Sequence, residues 1–181
     1  KVRGPVQTDK FSHELTLMAF DINLANAPER VDTAPEKRVE LHLHTKMSSM
    51  DSVADIGKVI AQAAKWGHKA VAITDHGVVQ AFPEAYEAGE KHKIKIIYGV
   101  EGYLINDGDA DIPWQKQKSF HIIILVKNQE GLLNLYKLIS LSHLEYFHLT
   151  PKIIKSGLKE HREGLLLGTS FEAGELFRSA L

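Results

Sequence analysis

Four short stretches of this sequence place imidazoles and carboxylates where they could share metal ions: His42-Leu43-His44, Thr74-Asp75-His76, Gly99-Val100-Glu101 and Phe120-His121. Imidazole nitrogens and carboxylate oxygens are metal donors. Several of them converging on clustered ions is the equipment of metal-assisted phosphate chemistry, in which a carboxylate can bridge two ions. The sequence has ten histidines in 181 residues, so histidine is where chemistry is to be sought. Each stretch lies at the end of a segment patterned like a buried strand. Ligands gathered at strand ends are how barrel-type α/β proteins assemble a site.

Side chains alternate across a strand. Over Val39–Leu43 this puts Val39, Leu41 and Leu43 on one face, with Glu40, His42 and His44 on the other. Asp75 and His76 follow the apolar run Ala70–Ile73, and Glu101 follows Ile96–Val100. His121 instead precedes its run, Ile122–Leu125, a less usual place for a barrel ligand. Taken singly, each stretch has a plainer reading. His-x-His occurs on exposed strands. Asp75 could cap a helix beside a surface His76. Glu101 could be a solvated loop residue, and His121 a core histidine bonded to backbone.

The elements that must position these residues alternate in type. A helix is expected from a cap at Asp51 or Ser52 to about Trp66, with Ile56, Val59, Ile60 and Ala63 on one face and Gly67 closing it. Further expected elements are a strand at Ala70–Ile73, a helix at Pro83–His92 and a strand at Ile94–Val100. A polar turn at Asn106-Asp107-Gly108-Asp109 follows, then a strand at Ile122–Val126. A long helix at Gln129–Tyr146 has Leu132, Leu135, Leu138, Ile139 and Leu141 as its apolar stripe. A strand at Leu165–Leu167 and a helix over Glu172–Leu181 complete the order. Repeated βα units predict a mostly parallel sheet or barrel. The length falls short of a full eight-fold barrel, so the fold class expected is α/β, a distorted, incomplete (βα) barrel. Residues 1–26 read as short alternating strands, with Leu15 and Leu17 facing one way, too few to enclose a core. Residues 28–37, with Pro28 and Pro35, read as a linker.

Composition narrows the function. Net charge is −1, so no strong basic field favours unspecific DNA binding by this chain alone. With no cysteine, disulfides and zinc–thiolate sites are excluded. No apolar run reaches membrane-spanning length. Trp66, at a helix end, is expected in the core. Lys116 and Lys118 are expected in a solvated loop, and His143, His148 and His161 on surfaces without a role.

His42-Leu43-His44-Thr45 and Thr74-Asp75-His76-Gly77 together resemble the PHP family, the polymerase and histidinol phosphatase metallo-domain. A closer resemblance is to the PHP region of the PolC-type replicative DNA polymerase III α-chains of low-GC Gram-positive bacteria. It is carried by Lys37–Thr45, Met47–Asp51, Ala72–Gly77, Phe82–Ala85, Leu141–Phe147 and His161–Leu165. Val2–Asp21 resembles the last strands of the OB domain of those polymerases, and Asp32–Glu36 resembles their OB–PHP linker. The division this implies is residues 1–27 from an OB-fold, 28–37 as linker and 38–181 as a PHP domain incomplete at its C-terminal side.

The resemblance implies more. His42, His44, Asp51, His76, Glu101 and His121 match metal-ligand positions, and Asp75 takes an orienting role. No catalytic residue is assigned. The cofactors are Zn²⁺ or Mn²⁺ as a cluster, fully or partly occupied, with Mg²⁺ serving the parent polymerase. The module is structural or a weak phosphoesterase. The alternative is an active phosphoesterase, either a 3′–5′ exonuclease or a small-molecule phosphatase. Expected partners are DNA through the parent polymerase, the other domains of that chain and replisome subunits such as the sliding clamp, in the cytoplasm and away from membranes. In those polymerases a proofreading exonuclease is inserted after the segment matching Gly99–Gly108. Here the insertion point, near residues 106–116, runs almost directly into Trp114–His121. Phe171 stands where the family often has a cysteine, and the family's final Asp-x-His ligand pair is expected beyond Leu181.

Overall fold

Short apolar runs become strands and amphipathic runs become helices along most of the chain, in a computed structural model that describes residues 1–26, 28–108 and 111–181. Ala27, at the end of the expected first segment, and Asp109, in the expected polar turn, lie outside the described residues. The chain divides into two units, Lys1–Thr33 and Ala34–Leu181.

In the first unit, β1 (Val2–Arg3), β2 (Val6–Thr8), β3 (Leu15–Leu17) and β4 (Asp21–Ile22) form two nested antiparallel pairs, β2 with β3 and β1 with β4. The Asp9 carboxylate ties the central turn by accepting from the backbone N–H groups of Phe11 and Ser12. Leu15 and Leu17 alternate with Thr16 as expected, but this unit gives them no core. Phe11, Leu15, Phe20, Ile22 and Leu24 are all exposed.

The second unit contains α1 (Ile56–Lys65), β5 (Ala70–Ile73), α2 (Phe82–His92), β6 (Lys95–Ile105), β7 (Phe120–Val126), α3 (Gln129–Leu144), β8 (Phe147–His148), β9 (Thr150–Ile154), α4 (Lys155–Glu160), β10 (Leu165–Thr169) and α5 (Glu175–Ala180). Helix α1 starts later than expected. Its cap is Asp55, whose side chain accepts from the Lys58 N–H, which leaves Asp51 free to face His44. It ends at Trp66, where Gly67 takes a φ of +80° that a β-carbon would strain. Trp66 itself is half-buried rather than in the core. Helix α3 is capped by Asn128, whose side chain accepts from the Gly131 N–H. Gly131 passes so close to the Gly164 backbone that an added Cβ would sit 1.9 Å from the Gly164 carbonyl oxygen.

Strand β6 is the spine of a six-stranded sheet. Along one edge it pairs in parallel with β5 through residues 95–98 and with β9 through residues 103–105. Along the other it pairs antiparallel with β7, which in turn pairs antiparallel with β10. The sheet is therefore mixed, not mostly parallel as the βα rhythm suggested. Strand β9 and helix α4 were not anticipated either, because Pro151 weakens the strand signal and Lys155–Glu160 has little apolar periodicity. The expected strand at Val39–Leu43 shrinks to a single bridge, Glu40 beside Val71. The Ala72 N–H bonds to the Glu40 carbonyl and the Thr74 N–H to that of Leu43. The two-residue step from Ala72 to Thr74 thus meets a three-residue step from Glu40 to Leu43, a bulge that breaks the ladder.

Alternate residues of β6 serve opposite faces. Val100 and Leu104 join Ile56, Ile60, Val71, Ile73, Ile122, Ile124, Leu135, Leu138 and Ile153 in one apolar core under the helices. Glu101 and Tyr103 take the other face, where the histidines gather. Among the described residues, no helix is long and apolar enough to cross a membrane.

Candidate metal centre

Glu101 is the hub. Its side chain is fully buried, with 0% exposure. The Nε2 atoms of His42 and His44 lie 2.5 Å and 2.7 Å from its Oε2, and 3.1 Å from each other. On Oε1 it meets His121 Nδ1 at 2.7 Å and accepts from the Ser170 hydroxyl at 2.9 Å. Burial pushes the Glu101 carboxyl upward, but the hydrogen bonds from His42, His121 and Ser170 outweigh it and bring the pKa down from 4.5 to about 2. Glu101 is therefore a buried carboxylate at neutral pH.

The local sequence explains the convergence. The bulge beside β5 carries His42 and His44 toward Glu101. Glu40, expected on the same face, instead turns back so that its Oε1 accepts from the Leu41 and His42 N–H groups. The Thr74 hydroxyl supplies the acceptor for the Leu43 N–H. Asp75 is 1% exposed, and its carboxylate accepts from the Thr45 N–H, the Thr45 hydroxyl and the Ser48 hydroxyl. The Ser48 oxygen also accepts from the His76 N–H. Asp75 thus fastens the 44–48 loop beneath the site and presents no oxygen to the candidate ligand groups.

His121 explains itself through strand direction. Because β7 runs against β6, its beginning lies beside the later part of β6, with His121 opposite Tyr103. A residue at the start of an antiparallel strand reaches the same place as one past the middle of its neighbour. Glu101 in turn lies inside β6 rather than just beyond it, since that strand continues to Ile105.

All six expected ligands come together. Their atoms form three groups, each within 4.8 Å: His42–His44–Glu101, His44–Asp51–His76 and His76–Glu101–His121. The groups share corners at His44, His76 and Glu101. Asp51 Oδ2 lies 2.5 Å from His44 Nδ1 and 3.8 Å from His76 Nε2. His76 Nδ1 is buried with no hydrogen-bond partner. Burial, more than its neighbours, lowers the His76 pKa below 6.5, so the ring is neutral at pH 7 and keeps a lone pair. Four imidazoles, one of them with an unpartnered buried ring nitrogen, and two carboxylates fit a transition-metal site by donor chemistry.

Two participants were not visible in the sequence. Tyr103 stacks on His76 at a ring separation of 5.7 Å and meets His121 edge-on at 5.1 Å. Ser170 supplies the hydroxyl to Glu101 from just beyond β10. Phe171, in the position compared with the family cysteine, lies 60% exposed with its ring 6.3 Å from that of His42. A register that sends Ser170 inward could have been read only with the β10–β7 pairing in hand.

The PHP domain family model matches residues 40–180, the whole stretch that builds this site. The chain belongs to the PHP domain family. Its α/β sheet, not closed on itself among the described residues, is an incomplete barrel of the PHP type. This PHP chain is 61% identical to the PolC-type DNA polymerase III of Halalkalibacterium halodurans over 110 residues, which is 60% of this chain and 8% of that protein. It is 45% identical to the PolC-type DNA polymerase III of Clostridium perfringens over 164 residues, 91% of this chain and 10% of that one. The PHP chain thus spans no more than about a tenth of the length of these relatives. A solved structure from Bifidobacterium adolescentis, named as a metal-dependent phosphoesterase, is 24% identical with a TM-score of 0.42, over 57% of this chain and 32% of that one.

Proposed function

We propose that this chain is the metal-binding PHP module of a PolC-type replicative DNA polymerase, with structural or weak phosphoesterase function of its own. The observation that carries it is Glu101, a fully buried carboxylate facing three imidazoles. Identity to PolC-type relatives over most of the chain supports the parent assignment. In this reading His42, His44, Asp51, His76, Glu101 and His121 would hold Zn²⁺ or Mn²⁺, and Asp75 fixes the loop beneath them. When bound, the ions would supply Lewis acidity toward phosphoryl oxygens and lower the pKa of a water. The residues themselves keep imidazole lone pairs available, present Asp51 at the open side and keep Glu101 ionised. DNA-directed DNA synthesis with its Mg²⁺, contact with the sliding clamp and a cytoplasmic location belong to the proposed parent.

In the same reading residues 1–27 are the end of an OB-fold, 28–37 a linker and 38–181 the PHP domain, with an exonuclease insertion point near residues 106–116. The test is metal content by elemental analysis of the purified chain after exposure to excess Zn²⁺ or Mn²⁺. Two or more ions per chain, lost in His42→Ala and Glu101→Ala, support the reading. A metal-free chain refutes metal binding and phosphoesterase function and leaves a structural module.

A further inference from the structure

One histidine outside the candidate ligand set reaches the site through the backbone. His143, expected on a surface without a role, stands in the last turn of α3, and its Nε2 lies 2.8 Å from the Gly77 carbonyl oxygen. A carbonyl can only accept, so the ring carries a proton on Nε2 and donates it. The other side of the ring packs on Phe147, with 5.9 Å between centroids. His143 is exposed, but the glycine it meets is buried and directly follows His76.

Gly77 is where the chain leaves the metal centre. Beyond β5 the parallel pairing with β6 continues as single bonds. The Glu101 N–H donates to the Asp75 carbonyl at 3.0 Å, and the Gly77 N–H to the Glu101 carbonyl at 2.8 Å. These two bonds set His76 beside Glu101 as a parallel bridge. Gly77 then takes a φ of +63°, and a β-carbon there would sit 2.5 Å from Pro151 Cγ. Such a left-handed step suits glycine, which also leaves the local chain free to move unless both its ends are held. Here they are held by different elements, the N–H by β6 and the carbonyl by α3.

His76 depends on that hold. A metal-binding histidine ordinarily donates through its second ring nitrogen to a carboxylate or carbonyl, and this fixes the ring. His76 Nδ1 has no such partner. Its ring instead lies among other rings, with centroids of His44 at 4.3 Å, His121 at 5.5 Å and Tyr103 at 5.7 Å. Its direction therefore follows from the backbone on either side. Ser48 accepts from the His76 N–H on one side, and the Gly77 peptide secures the other.

We propose that His143 is a positioning residue of the metal centre. By donating to the Gly77 carbonyl it fixes the peptide that follows His76, and with it the direction of the His76 ring. His143 is not itself a ligand. This rests on the reading of the site as a metal centre.

The experiment uses the full chain, stripped of metal and titrated with Zn²⁺ by calorimetry. His143→Phe keeps a ring against Phe147 and cannot donate. His143→Gln offers an amide nitrogen in place of Nε2. Ser142→Ala is the control, since it removes a buried hydroxyl from the same turn of α3 whose bond goes to the Ile139 carbonyl. Zn²⁺ affinity should fall roughly three- to tenfold in His143→Phe, the span that one hydrogen bond is worth. It should return close to the wild-type value in His143→Gln and stay unchanged in Ser142→Ala. Should His143→Phe fail to fold, His143→Leu replaces it with the same expectation. Wild-type affinity in His143→Phe, an equal loss in Ser142→Ala or no recovery in His143→Gln each overturns the role of His143 and leaves the metal reading intact. A wild-type chain that takes up no Zn²⁺ overturns both.

Discussion

His121 Nδ1 and Glu101 Oε1 stand 2.7 Å apart, although the two residues lie on strands that run in opposite directions. The contact is diagonal, since Glu101 pairs with Ile123 and His121 with Tyr103. Together with His42 on the other oxygen and the Ser170 hydroxyl, it keeps Glu101 ionised inside the protein.

That ionisation gives the metal-free chain a distinct acid response. The Glu101 pKa is depressed from 4.5 to about 2. A depressed carboxylate stabilises the folded state fully above its unfolded value and loses that contribution as pH falls toward the folded one. With EDTA present, urea stability should therefore fall between about pH 5 and pH 2, with a contribution from this residue on the order of 3 kcal/mol. Glu101→Gln should flatten the profile in that window. An unchanged slope in the variant would assign the acid response to other carboxylates.

Metal addition should be visible as thermal stabilisation. An ion that binds only the folded chain, present at a hundred times its dissociation constant, contributes about 2.7 kcal/mol. For a chain of this size that raises Tm by roughly 5–10 °C. Melting curves with EDTA and with added Zn²⁺ or Mn²⁺ measure it, and the shift should vanish in His42→Ala.

Asp75→Asn should weaken both the fold and the site. Its carboxylate accepts three hydrogen bonds from Thr45 and Ser48, and an amide nitrogen cannot accept. A buried donor left without an acceptor costs about 2 kcal/mol. Loosening the loop beneath His44 should reduce metal affinity about 10–100-fold. Urea denaturation and metal titration check the two effects, and an Asp75→Asn chain with wild-type values in both would remove the orienting role.

Gly131→Ala tests a packing contact far from the metal residues. A methyl there would press on the Gly164 carbonyl, where nothing flexible gives way. The expected loss is about 3 kcal/mol or more, read from chemical denaturation.

His42, His44, His76, Glu101 and His121 were legible because imidazoles and a carboxylate gather at the ends of strand-like runs, and Asp51 was legible only through the resemblance to the PHP family. His42, His44, Asp51, His76, Glu101 and His121 could each be named from the sequence, and the structure brings them within reach of one another. Strand direction was not legible. The run Phe120–Val126 reads the same whether it pairs parallel or antiparallel, so His121 looked misplaced until β7 was seen to run against β6. The bulge at Glu40–Leu43 was hidden because it depends on the hydrogen bonds of Ala72 and Thr74, not on any residue in the bulge. Ser170 and Tyr103 are common residue types, and only the fold gives them neighbours worth noticing. The α1 cap went to Asp55 instead of Asp51 or Ser52 because three candidate caps stand close together and tertiary contacts chose among them.

The β6–β7 pairing also governs how the molecule tolerates change in length. Leu104 and Phe120 are register partners, so the chain leaves the sheet after Ile105 and re-enters beside its point of departure. Each doubling of a flexible connection between such fixed posts adds only about 0.6 kcal/mol of closure entropy. The posts are held by the sheet, not by what hangs between them. A whole folded body could be spliced there with little disturbance to the ladder, and its mooring at Ile105 would lie four residues along β6 from Glu101 and its cluster of imidazoles.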